Sequence, residues 1–320
     1  PEWVVKMKDA GCSIINMGME SGSQRMLDIM EKKTTVEQNR NAVKWLNKND
    51  LRTTVALVIA MPGENPSTIQ ETASFTRYFV ELSPQVDPNF LSINYAQALP
   101  GTPLYETARR KGMIGQTIDD EEEYLISISD RDARDGETYI NLTDYPQLIV
   151  ESWYLEICVR TRMAYIKKWG MNRYMDTLLR SSRFKSLNES KSYCKKYDSG
   201  YLANPARSHE MFSVKSAPSI WSLFRQNKIS SVSSFYPRFF WHTRYFITLY
   251  TLINTARKYG KAFAVKLLWR FVIWKVKKVS FPNNVKETIK YLSLRKLVDK
   301  NFFPAIPTDE PAMEPLRKGR

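Results

Sequence analysis

The sequence predicts an α/β fold over roughly its first third, followed by a mostly α-helical, strongly basic extension. Three observations carry this. Up to about Gly115, short apolar runs alternate with longer stretches of helical periodicity. Each apolar run breaks at a polar turn bearing Gly or Pro. From Pro146 onward no segment has a convincing strand pattern, whereas helical spacing recurs near 147–169, 171–180, 243–258, 261–279 and 284–299.

Taken in order, the chain enters on Glu2-Trp3-Val4-Val5-Lys6-Met7-Lys8, the middle of an amphipathic helix. With no initiator Met and no charged-then-apolar leader before it, this start reads as an arbitrary cut. Ser13-Ile14-Ile15-Asn16-Met17-Gly18-Met19 is a first strand, ending in Glu20-Ser21-Gly22-Ser23. Helices are expected over about 24–32 and over 35–49, the latter with Val36, Ala42, Val43 and Leu46 as its apolar positions. Residues 53–60 form a continuous β-branched and apolar run, as expected of a strand buried on both faces. It breaks at Met61-Pro62-Gly63-Glu64. A helix over 67–82 follows, with Ser67 or Thr68 as N-cap and Glu71 in its first turn. Residues 90–96 make a third strand, closed by Pro100-Gly101-Thr102-Pro103 and a short helix to Gly112.

Strand–loop–helix units in series imply a parallel sheet with helical crossovers. All three turns follow the C-terminal ends of strands, the edge at which barrels and doubly wound sheets alike bind ligands. Three units are too few to close a barrel, so the sheet reads as truncated. The organisation that follows is a sheet unit over 1–117, a polar linker over 118–145 containing the acidic run 119–123, a helical basic extension over 146–300, and a loose Pro-bearing tail over 301–320.

Composition sets outer bounds. At 43% hydrophobic and 25% charged residues, the 320-residue chain is globular rather than disordered. The three cysteines, Cys12, Cys158 and Cys194, have neither metal-ligand nor redox spacing and read as reduced thiols of a cytoplasmic protein. Cys12 is expected to face the packed side as a small hydrophobe. Two histidines exclude a histidine-rich metal centre, and no metal ligands are assigned within the chain.

Three turns carry chemistry. Gly18-Met19-Glu20-Ser21-Gly22-Ser23-Gln24 brings a carboxylate, a hydroxyl and flexible backbone to a strand end; its plainer reading is a turn in which Ser21 or Ser23 caps the next helix. Ile59-Ala60-Met61-Pro62-Gly63-Glu64 and Gln97-Ala98-Leu99-Pro100-Gly101-Thr102-Pro103-Leu104 each have an ordinary Pro-Gly turn as their plainer reading. Together, in this order and spacing, the three resemble the second half of a radical SAM barrel. The resemblance is closest to the branch that often carries an N-terminal cobalamin-binding domain. It covers residues 1–115 well, and more loosely the stretch from Asn141-Leu142-Thr143 through the helix expected at 147–169.

The resemblance implies a partial parallel (β/α) barrel of the radical SAM type, with S-adenosyl-L-methionine (SAM) and a [4Fe-4S] cluster as cofactors and cobalamin as a further cofactor of the parent protein. In that family a C-x3-C-x2-C loop holds the cluster. An electron from it splits SAM into methionine and a 5′-deoxyadenosyl radical that abstracts hydrogen from substrate. Carried over by motif, Glu20 and Ser21 lie near the ribose and methionine portion of SAM. Val58, Ile59 and Ala60 lie along the adenine, Pro62 and Gly63 shape that strand end, and Ala96, Gln97, Ala98 and Leu99 close over the adenine. No catalytic side chain is assigned. Two departures stand out: the family usually has Gly at the place of Ala60, and Thr often follows the Glu where Asn65 stands here. A third is larger. The C-x3-C-x2-C motif is absent, so the cluster ligands lie outside this chain, and the chain alone is expected to be inactive.

The net charge of +15 concentrates late in the chain, where no Asp or Glu occurs between Glu210 and Glu287. Over the helix expected at 261–279, Phe263, Leu267, Leu268, Phe271, Val272 and Trp274 recur at helical spacing, with Lys266, Arg270, Lys277 and Lys278 largely between them. Aromatics and basic residues in this pattern suit a helix lying in a membrane interface, with Lys261, Lys266, Trp269, Arg270, Trp274, Lys277 and Lys278 as contact candidates. A basic helix packed on the barrel with its charges in water is the plainer alternative. Nucleic acid is the less favoured partner, because RNA-modifying relatives usually end in a small β-domain and this tail reads helical. The expected partners are SAM, a small or lipid-like substrate, a reductase and an anionic membrane surface. The expected location is the cytoplasm, at the inner face of the membrane. The rival readings are an RNA-modifying protein similar to tRNA methylthiotransferases, and a non-catalytic membrane or interaction protein built on a decayed barrel.

Overall fold

The computed structural model describes residues 2–89, 91–115, 117–129, 139–180, 219–225, 231–240 and 244–277. The helix expected near 284–299, the tail over 301–320 and Cys194 lie outside the described residues.

After α1 (Glu2–Asp9) come β1 (Ile14–Glu20), α2 (Gln24–Ile29), α3 (Val36–Lys48), β2 (Arg52–Ile59), α4 (Pro66–Glu81), β3 (Leu91–Tyr95) and α5 (Pro103–Arg110). The strands form one parallel sheet in the order β1-β2-β3, Met17 pairing with Val55 and Val55 with Leu91. The expected α/β half-barrel with a helical extension is thus the observed architecture.

Alternation along the strands separates two faces. Met19, Val55, Leu57, Ile59, Leu91, Ile93 and Tyr95 pack beneath Val43 of α3 and Ile69, Phe75 and Phe79 of α4. Asn16, Gly18, Thr54, Ala56, Val58, Ser92 and Asn94 point the other way and are exposed or half-buried. This corrects the expectation that β2 is buried on both faces. In a closed barrel the second face would be the lumen, and with three strands it stays open.

Local chemistry fixes the helix starts. Thr35 and Gln38 form a capping box at α3. At α4 the cap is Asn65, not Ser67 or Thr68: its side chain accepts from the Ser67 and Thr68 amides, and Pro66 occupies the first helical position. Asn and Thr are both good N-caps, so the departure at position 65 keeps the same job.

The segment expected as a polar linker contains α6 (Ile118–Ser129). Its acidic run sits in the first turn, where carboxylates complement the helix dipole. Beyond it, α7 (Gln147–Trp169) is the spine of the extension: 23 residues long and buried nearly all round, Glu151, Glu156 and Arg162 included. It joins α4 through a buried Thr76–Thr161 hydroxyl pair at 2.6 Å, and Trp169 donates to the Val80 carbonyl at 3.0 Å. Arg162, 4% exposed, donates to Asn89 Oδ1 at 2.9 Å and Ser233 Oγ at 3.2 Å. Around α7 stand α8 (Met171–Arg180), α9 (Ile220–Arg225), α10 (Val232–Phe235), a 3-10 turn (Pro237–Phe240), α11 (Arg244–Tyr259) and α12 (Lys261–Lys277). One apolar core runs from β2 through α7 to Ile247 and Tyr250 of α11. The sheet and the extension are therefore a single packed body.

Candidate functional site

The three strands end side by side, and each end is built by a different local device. At β1 the register slips between Gly18 and Glu20, a bulge that re-aims the strand end. Glu20 sits at φ 60° and directs its carboxylate to Lys32 Nζ at 2.7 Å. A side chain at position 18 would lie 2.6 Å from that carboxylate, so the bare glycine gives it room.

Ser21 is turned inward. It is 1% exposed, its hydroxyl pairs with Thr72 Oγ1 of α4 at 3.0 Å, and it accepts from the Ser23 amide at 3.1 Å. The Gly22 amide donates to the same Thr72 hydroxyl at 3.2 Å. A Cβ on Gly22 would stand 2.7 Å from Thr72 Cα and 2.9 Å from the Glu71 carbonyl. Helix α4 of the second unit therefore lies directly on the turn of the first. Ser23 occupies the N-cap position of α2 without making a side-chain cap bond, and its buried hydroxyl has no partner. Neither serine is the plain helix cap that the local pattern allowed.

At β2 the chain turns through Ala60 at φ 70° and Gly63 at φ 84°. A left-handed conformation costs a residue with a Cβ about 1–2 kcal/mol, which gives the family's usual glycine at position 60 a physical reason. Glu64 folds back beneath this turn and accepts from the Ala60 and Met61 amides at 2.5 and 3.3 Å. Its second oxygen is buried without a partner. Burial outweighs the two amide bonds and pushes the carboxyl up to about 8. Val58 is half-buried on the open face, Ile59 is in the core, and Pro62 is buried in the turn.

At β3 the Ala96 amide extends the pairing to the Ile59 carbonyl at 2.8 Å. Ala98 is buried, and its carbonyl accepts from Tyr124 of α6 at 2.7 Å. Leu99 is half-exposed. Gln97 carries a buried amide nitrogen with no acceptor. The motif residues are thus gathered along one edge of one sheet. Local pattern gave no signal for Lys32, Thr72 and Tyr124, whose partners are 12, 51 and 26 residues away in the chain.

Cys12 is half-exposed at the foot of β1, not packed as expected, because the strand is the open edge of the sheet; Cys158 is buried in α7. Among the described residues no group of three or more His, Cys, Asp or Glu converges on a metal position. A cavity of about 1170 Å³ lies at the opposite end of the strands, against Ile14, Arg52 and the Ser83–Asp87 stretch. It is remote from the motif edge.

Of the membrane-contact candidates, Lys261, Lys266, Trp269 and Arg270 are exposed on α12, whereas Trp274 is half-buried with its ring 6.0 Å from Tyr145. The side chain of Lys277 and all of Lys278 lie outside the described residues. Among the described residues no helix is long and apolar enough to cross a membrane.

A three-stranded parallel sheet with polar Gly/Pro loops at its C-terminal edge is a half-barrel. Residues 1–76 match the radical SAM superfamily. The chain is 30% identical over 108 residues to an uncharacterized methyltransferase of Pyrococcus horikoshii, covering 34% of this chain and 22% of that protein. It is 31% identical over 70 residues to the anaerobic magnesium-protoporphyrin IX monomethyl ester cyclase of Rubrivivax gelatinosus, covering 22% of this chain and 13% of the cyclase. The cyclase of the same name from Cereibacter sphaeroides is 26% identical over 102 residues, 32% of this chain and 16% of that protein. The chain therefore spans less than a quarter of the length of these relatives.

Proposed function

We propose that the chain is the SAM-holding half of a radical SAM enzyme that methylates, or otherwise functionalises a C–H bond of, an apolar or lipid-like substrate. The observation that carries this is the gathering of the three motif turns on one sheet edge, with the unpartnered Gln97 amide and Ser23 hydroxyl among them. Buried polar atoms without partners are rare in folded proteins and are explained when a ligand completes them.

In this reading each strand end has a distinct task. Glu20, held by Lys32, presents a carboxylate able to accept from ribose hydroxyls. Ser21 braces that turn against Thr72, and so acts on the ligand through the backbone. Val58, with Ala60, Pro62 and Gly63, offers a small apolar wall for the adenine, and Ala96–Leu99 closes it, the Gln97 amide donating to a ring nitrogen. The fit for SAM is good. The fit for the cluster within this chain is not: Cys12, Cys158 and Cys194 cannot form a C-x3-C-x2-C run. No step through a cluster is assigned to these residues. Cluster and reductase belong to the parent protein, as does cobalamin. The cytoplasm, at the inner face of the membrane, is the place that suits such a substrate.

The test is SAM cleavage by the intact protein after anaerobic reconstitution, with Gln97→Ala alongside. Release of 5′-deoxyadenosine, with a KM for SAM raised about tenfold in the variant, supports the reading. No release, and no SAM binding by calorimetry, would sink it in favour of a decayed barrel.

A further inference from the structure

Helices α11 and α12 form a packed pair joined at Gly260, which has φ 92°. Both pack on α7. On α11 the packed side is Ile247, Tyr250, Thr251 and Thr255, and Thr255 donates to Glu151 of α7 at 3.1 Å. On α12 it is Ala264 and Leu267, flanked by half-buried Phe263, Phe271 and Trp274. At 100° per residue, the centre of the opposite side of α12 falls on Val265, Trp269 and Val276. These are 64%, 64% and 77% exposed. A helix packed on a soluble protein normally places charged residues there.

The charges stand instead at the two borders of this outward stripe. Lys266 and Arg270 line one side, Lys261 and Lys275 the other, all exposed. On α11, Leu249 and Ile253 are likewise uncovered, with Arg257 and Lys258 beyond them. No Asp or Glu occurs anywhere in residues 211–286, so no carboxylate of that stretch offsets the basic borders. A groove of about 630 Å³ between α4 and α7 adds Lys167 and Arg238, while its Arg77 and Arg160 are paired with Glu81 and Glu156. It adjoins the α11–α12 pair, because the neighbouring Phe239 ring lies 5.6 Å from Phe246 of α11.

We infer that the outward face of the α11–α12 pair docks on an anionic lipid bilayer. Val265, Trp269, Val272 and Val276 enter the headgroup–acyl boundary and the bordering lysines and arginines meet lipid phosphates. Charge complementarity commits the face to this occupant: an apolar stripe alone would suit a protein partner, but one bordered only by cations suits an anionic interface. The helix lies on the membrane and does not span it. The inference is independent of the SAM reading, which concerns the far side of the sheet.

The test uses the full chain and vesicles of phosphatidylcholine with and without 30% phosphatidylglycerol. The expected result is co-sedimentation with the anionic vesicles, weakened severalfold by 0.5 M salt, and quenching of Trp269 fluorescence by brominated acyl chains. Trp269→Glu with Val265→Glu should cut the partition at least tenfold, and Lys266→Glu with Arg270→Glu should abolish the salt dependence. Unchanged circular dichroism and SAM binding in these variants separate lost docking from lost folding. Absence of binding to anionic vesicles, binding indifferent to the glutamates, or a stable dimer by sedimentation that they dissolve would each overturn the inference. So would vesicle binding that emerges only after removal of residues 278–320.

Discussion

Glu64 offers a prediction in which sign and size both follow from the structure. The carboxyl is 2% exposed, its ordinary value of 4.5 is pushed up to about 8 by burial, and the Ala60 and Met61 amides only partly oppose that rise. The native chain therefore keeps this proton through neutrality, whereas the unfolded chain releases it near 4.5. Between those values the native state binds more protons, and stability falls as pH rises. Each pH unit in the window costs about 1.4 kcal/mol, so the group removes up to ~5 kcal/mol by pH 8 and little more above it. Glu64→Gln keeps the size of the side chain and an oxygen for both amides, but cannot ionise. Urea unfolding, followed by tryptophan fluorescence, should find the two proteins similar near pH 4.5 and the variant progressively more stable towards pH 8. Other titrating groups cancel in the difference. Parallel curves for the two proteins, or a variant less stable at pH 8, would mean that the buried carboxylate is ionised throughout, and that amide bonding, not desolvation, governs it.

Ala60→Gly should stabilise the chain by up to about 1 kcal/mol in the same assay, since it relieves a left-handed alanine at φ 70°. Gly22→Ala should cost about 1–3 kcal/mol, because its methyl meets the backbone of α4 and not a yielding side-chain tip; SAM affinity should fall with it. Arg162→Ala should cost about 3 kcal/mol by leaving Asn89 and Ser233 without their donor and a cavity in the core, measured as a shift in urea midpoint at constant m-value. Gln97→Ala should leave stability within about 0.5 kcal/mol of the wild type, since its amide nitrogen has no protein acceptor, while weakening SAM binding.

The sheet was legible because its signals are local. Each strand is a short apolar run ending in a turn that bears Gly or Pro, and three such endings in register also pointed to the family. What escaped was set by distant partners. The acidic run at 119–123 reads as solvated charge, yet it begins a helix because Tyr124, directly after it, reaches the Ala98 carbonyl and Glu121 accepts from Tyr105. Burial of β2 on one face only depends on how many strands complete the barrel, which no residue of β2 can report. The inward turn of Ser21 depends on Thr72 in another unit.

Helix α12 carries the same lesson further. Of the apolar positions that stand out in the sequence, Leu268 and Val272 are exposed, whereas Phe263, Leu267, Phe271 and Trp274 face the protein. The outward stripe of Val265, Trp269, Val272 and Val276 is offset from them by about half a turn of the helix. Because both sides are apolar, periodicity nearly cancels, and the helix looks only weakly amphipathic. The distinction lies in what is absent between the stripes: the borders hold lysine and arginine and no carboxylate. A helix that needs only to cover a core can take either sign of charge at its borders. One that rests on an anionic surface cannot, and that one-sidedness is what an exchange of Lys266 and Arg270 for glutamate puts to the test.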